Sequence, residues 1–146
     1  MSQNVSQTTD AAALPAETIR FPDGLLGFPA FVEYRLAEGP GPGLFWLIAE
    51  GEGPAFLCSD PFRHFEGYAL DLTPEQAGRI DAEALADVAV LAISVPHDEG
   101  PWTANLQGPI VINAAKRLGS QLVLPTSKLG VRAPFVPSLE PLLQTA

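Results

Sequence analysis

Histidine, cysteine, serine and clustered carboxylates are the side chains of this sequence that could carry chemistry, and their spacing decides which chemistry is open to them. His64 and His97 are the only histidines. Neither has a second nitrogen ligand one helix turn or one tight turn away, so no zinc site is expected. Asp81, Glu83 and Asp87 form one acidic cluster and Asp98 with Glu99 another. A calcium site needs about six to eight oxygen donors around a sharp glycine turn, and these clusters read as solvated acidic faces. Ser59, Ser94, Ser120 and Ser127 lie outside any strand-to-helix elbow, and the two imidazoles are flanked by Arg63 or Asp98. No pair of nucleophile and base can be assembled from them. Gly39-Pro40-Gly41-Pro42-Gly43 is glycine-rich, but its prolines remove N–H groups and no Lys or Ser follows, so it cannot cradle a phosphate. Phe45, Trp46, Phe56, Phe62, Phe65 and Tyr68 lack interleaved Lys or Arg, which suits core packing better than base stacking. Cys58 is the single cysteine; within Phe56-Leu57-Cys58 it reads as a small buried hydrophobe, and it fits a reducing cytoplasm. The expectation is a protein without catalysis, metal or cofactor.

The elements around these residues are short. Fifteen prolines and thirteen glycines divide the 146 residues into segments of roughly five to eight, the usual length of strands. Thr18-Ile19-Arg20-Phe21 alternates polar and apolar residues and predicts a half-buried strand, closed by the turn Pro22-Asp23-Gly24. A further turn follows at Gly27-Phe28-Pro29, then partial strand from Phe31 to Leu36. Leu44–Ala49 and Ala55–Ser59, separated by Glu50-Gly51-Glu52-Gly53-Pro54, predict an antiparallel hairpin. Gly67–Leu72 follows as a strand. Thr73-Pro74-Glu75-Gln76 predicts a helix start, with Thr at N-cap, Pro at N1 and Gln at N3, ending near Ile80; a second helical turn is expected over Asp81–Ala86. Val88–Val95 is apolar on both alternating faces and predicts a central strand. Leu106–Asn113 and Gln121–Leu124 complete about seven strands. Pro109 removes a ladder donor, which predicts an edge strand or a bulge there, and an open edge accepts partners by strand addition.

Loops too short for helical crossovers imply antiparallel pairing, and closure removes exposed edges. The expected fold is therefore mainly β: a small antiparallel β-barrel-like single domain with one or two short helices. Residues 1–16 are polar and then alanine-rich and are expected to be a disordered arm. Residues 17–134 form the domain, and 135–146, proline-bearing and without pattern, a mobile tail. The arm has no basic residue before Arg20 and no apolar core of a secretory signal. The longest apolar run, Val88–Val95, is far short of a membrane span, so a cytoplasmic protein without membrane contact is expected.

Charge is distributed unevenly. The net −9 divides into −12 over residues 1–100 and +3 over 101–146, where Lys116, Arg117, Lys128 and Arg132 face Glu140 alone. An acidic surface repels the phosphate backbone, so direct nucleic-acid binding is not expected. The same field draws in a basic partner.

Several segments, taken in order, resemble the FliW family of flagellar assembly factors: Gly24-Leu25-Leu26-Gly27-Phe28-Pro29 after an Ile-x-Phe strand, Phe45-Trp46-Leu47, Phe56-Leu57-Cys58-Ser59-Asp60-Pro61, Val88–Val95, Thr103-Ala104-Asn105-Leu106-Gln107-Gly108-Pro109-Ile110-Val111-Ile112-Asn113, and Gly119-Ser120-Gln121-Leu122-Val123-Leu124 with Val131-Arg132. The likeness covers Ile19 to Pro134. It departs at Leu129 and Ala133-Pro134, where family members usually carry Tyr and His-Pro. The resemblance implies a β-barrel-like adaptor that binds newly made flagellin and, when freed, binds the translational regulator CsrA and relieves repression of flagellin synthesis. CsrA-type proteins present basic RNA-binding surface, which suits Glu50, Glu52, Asp98 and Glu99. Flagellin is expected on the edge from Asn105 through Pro109 to Asn113, together with Arg117 and Arg132. Asn105 and Asn113 are equally suited to satisfying turn backbone. Two other classes stay open. One is a β-barrel holding a small ligand or flavin in its mouth, although no basic phosphate-binding set is evident; the other is an oligomeric scaffold pairing through an exposed edge.

Overall fold

Side chains that alternate between two faces organise this chain into a ring of strands. The computed structural model describes residues 3–5, 17–83, 88–125 and 130–137. Among these residues eleven strands and two short helices follow one another: β1 (Gln3–Val5), β2 (Ile19–Arg20), β3 (Glu33–Glu38), β4 (Leu44–Ala49), β5 (Ala55–Ser59), α1 (Pro61–His64), β6 (Leu70–Leu72), α2 (Pro74–Arg79), β7 (Val88–Val95), β8 (Trp102–Ala104), β9 (Ile110–Asn113), β10 (Leu118–Gln121) and β11 (Ala133–Phe135). Nine lie in one sheet in the order β11-β8-β7-β5-β4-β3-β2-β10-β9, and β7 also pairs with β9. That last pairing, Val88↔Asn113 through Leu91↔Ile110, closes seven strands into a ring. The expected barrel is thus present. One pair departs from antiparallel: β10 runs parallel to β2, in register at Leu118↔Arg20. β1 and β6 form a separate two-stranded ladder. Of the segment 1–16, expected as an unstructured arm, this strand is described; its other residues, like 138–146 of the expected tail, lie outside the described residues.

Alternation fills the inside of the ring. Tyr34 from β3, Phe45, Leu47 and Ala49 from β4, Cys58 from β5, Leu91 from β7, and Ile110 and Ile112 from β9 form one buried cluster with Ile19, Phe21 and Leu25. The Phe21 and Tyr34 rings meet edge to face at 5.4 Å, a favoured aromatic geometry. Gly119 is required beside Phe21, since a Cβ there would sit 2.3 Å from the ring. The outer faces of Val88, Val90 and Val111 pack under Leu70, Leu72, Ile80 and Leu122. Leu44 and Ala92 are covered by Ala104, Leu106 and Phe135. β9 is therefore buried at every residue, as a strand covered on both faces must be.

Local signals account for the helices. Thr73 caps α2 through a reciprocal box with Gln76: Gln76 N–H donates to Thr73 Oγ1 at 3.1 Å and Thr73 N–H to Gln76 Oε1 at 2.9 Å. Residues 81–83 are turn and bend rather than the expected helix, and 84–87 lie outside the described residues. α1 was not expected; Asp60 caps it, accepting from Phe62 N–H at 3.0 Å, with Pro61 in its first turn. Ala133–Phe135, which spans the expected boundary between the domain and its tail, pairs with β8 because Phe135 inserts beside His64, Phe65 and Trp102.

Candidate protein-binding surfaces

The strand order brings four acidic residues to one end of the ring. β5 and β7 are antiparallel, with Cys58↔Ile93 and Ser59↔Ala92 in register, so the start of β5 lies beside the end of β7. Glu50 and Glu52 sit in the turn that precedes β5, and Asp98 and Glu99 in the loop that follows β7; all four are exposed. Glu50 also meets Arg35 at 3.6 Å, an exposed pair that contributes little to stability and leaves three carboxylates on this rim with no basic partner among the described residues.

The residues expected to form an open edge do something else. Asn105 Oδ1 accepts from the N–H groups of Gln107 and Gly108, both at 3.0 Å, a turn-closing role. Pro109 precedes β9 rather than sitting within it, and it is buried. β9 pairs with β10 on one side and β7 on the other, which corrects the expected edge strand. Asn113 is 3 % exposed; its Nδ2 donates to Ile80 O at 3.0 Å and Asp81 O at 3.1 Å, and its Oδ1 accepts from Lys116 N–H at 3.3 Å. Its polar atoms tie the barrel to the end of α2 and offer nothing outward. Arg117 is exposed at the opposite end from the acidic rim, in the turn after Asn113, with φ 55°; its carbonyl accepts from Arg20 N–H at 2.9 Å. Arg132 precedes β11, whose Ala133 is opposite Ala104 and, through it, Ser94. Ser94 lies six residue steps along β7 from Val88, roughly 20 Å, so Arg117 and Arg132 do not form one basic site.

Among the described residues, the serines and histidines are held in local contacts. Ser59 and Ser94 hydroxyls hydrogen-bond each other at 2.8 Å, fully enclosed. His64 Nδ1 lies 3.0 Å from Asp60 O, and His97 Nε2 3.4 Å from Thr103 Oγ1. No group of His, Cys, Asp and Glu among the described residues could hold a metal. Burial pushes the Cys58 thiol up to about 12, as expected for a packed, unreactive cysteine. The lumen that a ligand-holding barrel would keep open is filled by the aromatic and aliphatic cluster. No helix among the described residues is long and apolar enough to cross a membrane.

One concave feature was not legible in the sequence. A groove of ≈ 500 Å³ lies between the 22–29 turn, Arg79 of α2, and Gly119–Val123. Leu26 is 56 % and Val123 67 % exposed beside it. The turn is held by Leu26 N–H donating to Gln121 Oε1 at 2.8 Å, while Gln121 Nε2 donates to Gly108 O at 2.9 Å.

A family model described as FliW protein matches residues 4–135. Among sequence relatives, the flagellar assembly factor FliW of Moorella thermoacetica is 38 % identical over 122 residues, covering 81 % of this chain and 77 % of the relative. That of Natranaerobius thermophilus is 35 % identical over 121 residues, covering 80 % of each. A crystal structure of the flagellar assembly factor FliW superposes with a TM-score of 0.76 at 30 % identity, covering 84 % of this chain and 87 % of the other.

Proposed function

The chain belongs to the FliW family of flagellar assembly factors, and from that premise we propose that it acts in the cytoplasm as a non-catalytic adaptor, binding flagellin and the translational regulator CsrA in turn. Binding to CsrA would relieve its repression of flagellin synthesis. The observation that carries the reading is the acidic rim, where Glu50, Glu52, Asp98 and Glu99 leave two neighbouring loops at the same end of the ring. An RNA-binding regulator presents basic surface, and opposite charge at a rim acts chiefly on the encounter rate and partner choice. Rim charges also avoid the desolvation cost of a buried ion pair.

Calorimetric titration of the protein into CsrA and into flagellin of the same organism, each alone and then in the presence of the other, tests the proposal. Saturable, mutually exclusive binding is expected. The double variant Asp98→Lys, Glu99→Lys should weaken CsrA about tenfold at low salt, equivalent to ~1.4 kcal/mol, and the difference should shrink at ~0.5 M salt as screening shortens. Unchanged CsrA affinity in that variant removes the rim assignment; absence of binding to both proteins removes the switch.

A further inference from the structure

The groove beside the 22–29 turn has an open main-chain edge for its floor. Leu122 N–H donates to Pro109 O at 2.8 Å and Leu124 N–H to Gln107 O at 2.9 Å, continuing the β9–β10 register of Leu118↔Asn113 and Ser120↔Val111. In an antiparallel ladder alternate residues turn their N–H and C=O to opposite sides. The even-numbered residues from 118 to 124 therefore face β9, and Gly119, Gln121 and Val123 face away from it. On that second side β2 lies alongside only at Leu118↔Arg20, because β2 is two residues long and the chain turns off at Pro22. Past Gly119 no strand among the described residues lies on this edge, and the backbone groups of Gln121 and Val123 have no hydrogen-bond partner among them.

The walls on either side select what can occupy this edge. Leu26 and Val123 present apolar surface to it. A second concavity of ≈ 270 Å³, lined by Gln76, Arg79, Gln121 and Val123, prolongs the groove along α2. The charged side chains are Asp23, Glu75 and Arg79. Arg79 is paired with Glu75 at 3.0 Å, which leaves Asp23 without a basic partner among the described residues.

We propose that this groove binds an extended peptide segment of a partner protein by strand addition along Gln121–Val123, in the line that β2 vacates. The segment has aliphatic side chains at alternate positions, seated against Leu26 and Val123, and a Lys or Arg that meets Asp23. Main-chain bonds supply affinity and the alternate side chains supply selection. The turn Gly24–Pro29 thereby has a role beyond closing the barrel: it ends β2 early and holds Leu26 over the edge, fixed by Gln121. The acidic rim is not part of this surface, so either assignment can fail while the other stands.

The probe is a displayed library of random hexapeptides selected on the full chain, with the enriched sequence then synthesised and titrated by fluorescence anisotropy. Enrichment of alternating aliphatic residues with a Lys or Arg is expected. Val123→Pro removes an N–H that faces the groove and leaves the β9 ladder intact; it should weaken the peptide at least fivefold with an unchanged thermal midpoint. Leu26→Glu, at an exposed turn position, should weaken it at least tenfold, and Asp23→Lys should reverse the preference for a basic residue. Asp98→Lys, Glu99→Lys should leave peptide affinity unaltered. No enrichment, or enriched peptides that bind Leu26→Glu and Asp23→Lys as tightly as the parent chain, overturns the proposal, and the Leu26 and Asp23 variants decide it if Val123→Pro does not fold.

Discussion

Gly119→Ala is the most direct test of how tightly the inside of the ring is packed. The added methyl would lie 2.3 Å from Phe21 Cε2 and 2.5 Å from its Cζ, well inside van der Waals contact. Phe21 has nowhere to go: it is fully buried and its ring meets Tyr34 edge to face. Overpacking of this kind costs about 2–3 kcal/mol. Ala has fewer unfolded conformations than Gly, which returns about 0.4–1 kcal/mol, and the backbone at 119 is not in the left-handed region, so no further strain opposes the change. The net expectation is destabilisation by about 2 kcal/mol, or roughly 4–8 °C in Tm for a chain of this size. Urea unfolding followed by tryptophan fluorescence measures it. The cause is isolated by a double-mutant cycle with Phe21→Leu, which shortens the side chain toward Gly119. Gly119→Ala should cost at least ~1 kcal/mol less in the Leu background. A neutral or stabilising Gly119→Ala, or strictly additive effects, would refute the packing argument.

Asn113→Ala strands the Ile80 and Asp81 carbonyls and the Lys116 N–H in and beside the core, and should cost about 2–3 kcal/mol in chemical denaturation while leaving CsrA and flagellin titrations unchanged, because no polar atom of Asn113 faces outward. Stability should also fall in alkali. Burial raises the folded Cys58 thiol to about 12 from its ordinary value of 9.0, so between those values the unfolded chain releases a proton that the folded chain keeps, and stability declines as pH rises. Tyr68, raised to about 12 from 10.0 by burial and by the Asp60 carboxylate, adds a decline of the same sign that begins one unit higher. Urea midpoints of the parent and Cys58→Ala from pH 8 to 11 should converge as pH rises; parallel curves would show that the thiol is not shielded.

Sequence periodicity and turn chemistry determined much of this protein without reference to its fold. Leu44–Ala49, Ala55–Ser59 and Val88–Val95 are strands over the bounds their apolar patterns suggest, and Thr73-Pro74-Gln76 makes the capping box its spacing encodes. Each is a local interaction, complete within a few residues. The ordered segments from Ile19 onward were enough to indicate the family for the same reason, since they lie along the chain. Tertiary structure decided what depends on partners distant in sequence. Whether Pro109 marks an edge turned on β9 meeting β7 across the ring, and no local signal reports closure. Ala133–Phe135 became a strand because Phe135 found three aromatic side chains: His64 of α1, Phe65 just after it, and Trp102 of β8. Asn113 was legible as a polar residue at a strand end, but its burial depended on where α2 ends. The open edge at Gln121–Val123 exists because a parallel neighbour stops two residues into its strand, a relation between segments about a hundred residues apart. Local free energy selects the elements; closure of the ring selects which of their polar edges and charged loops remain available to another protein.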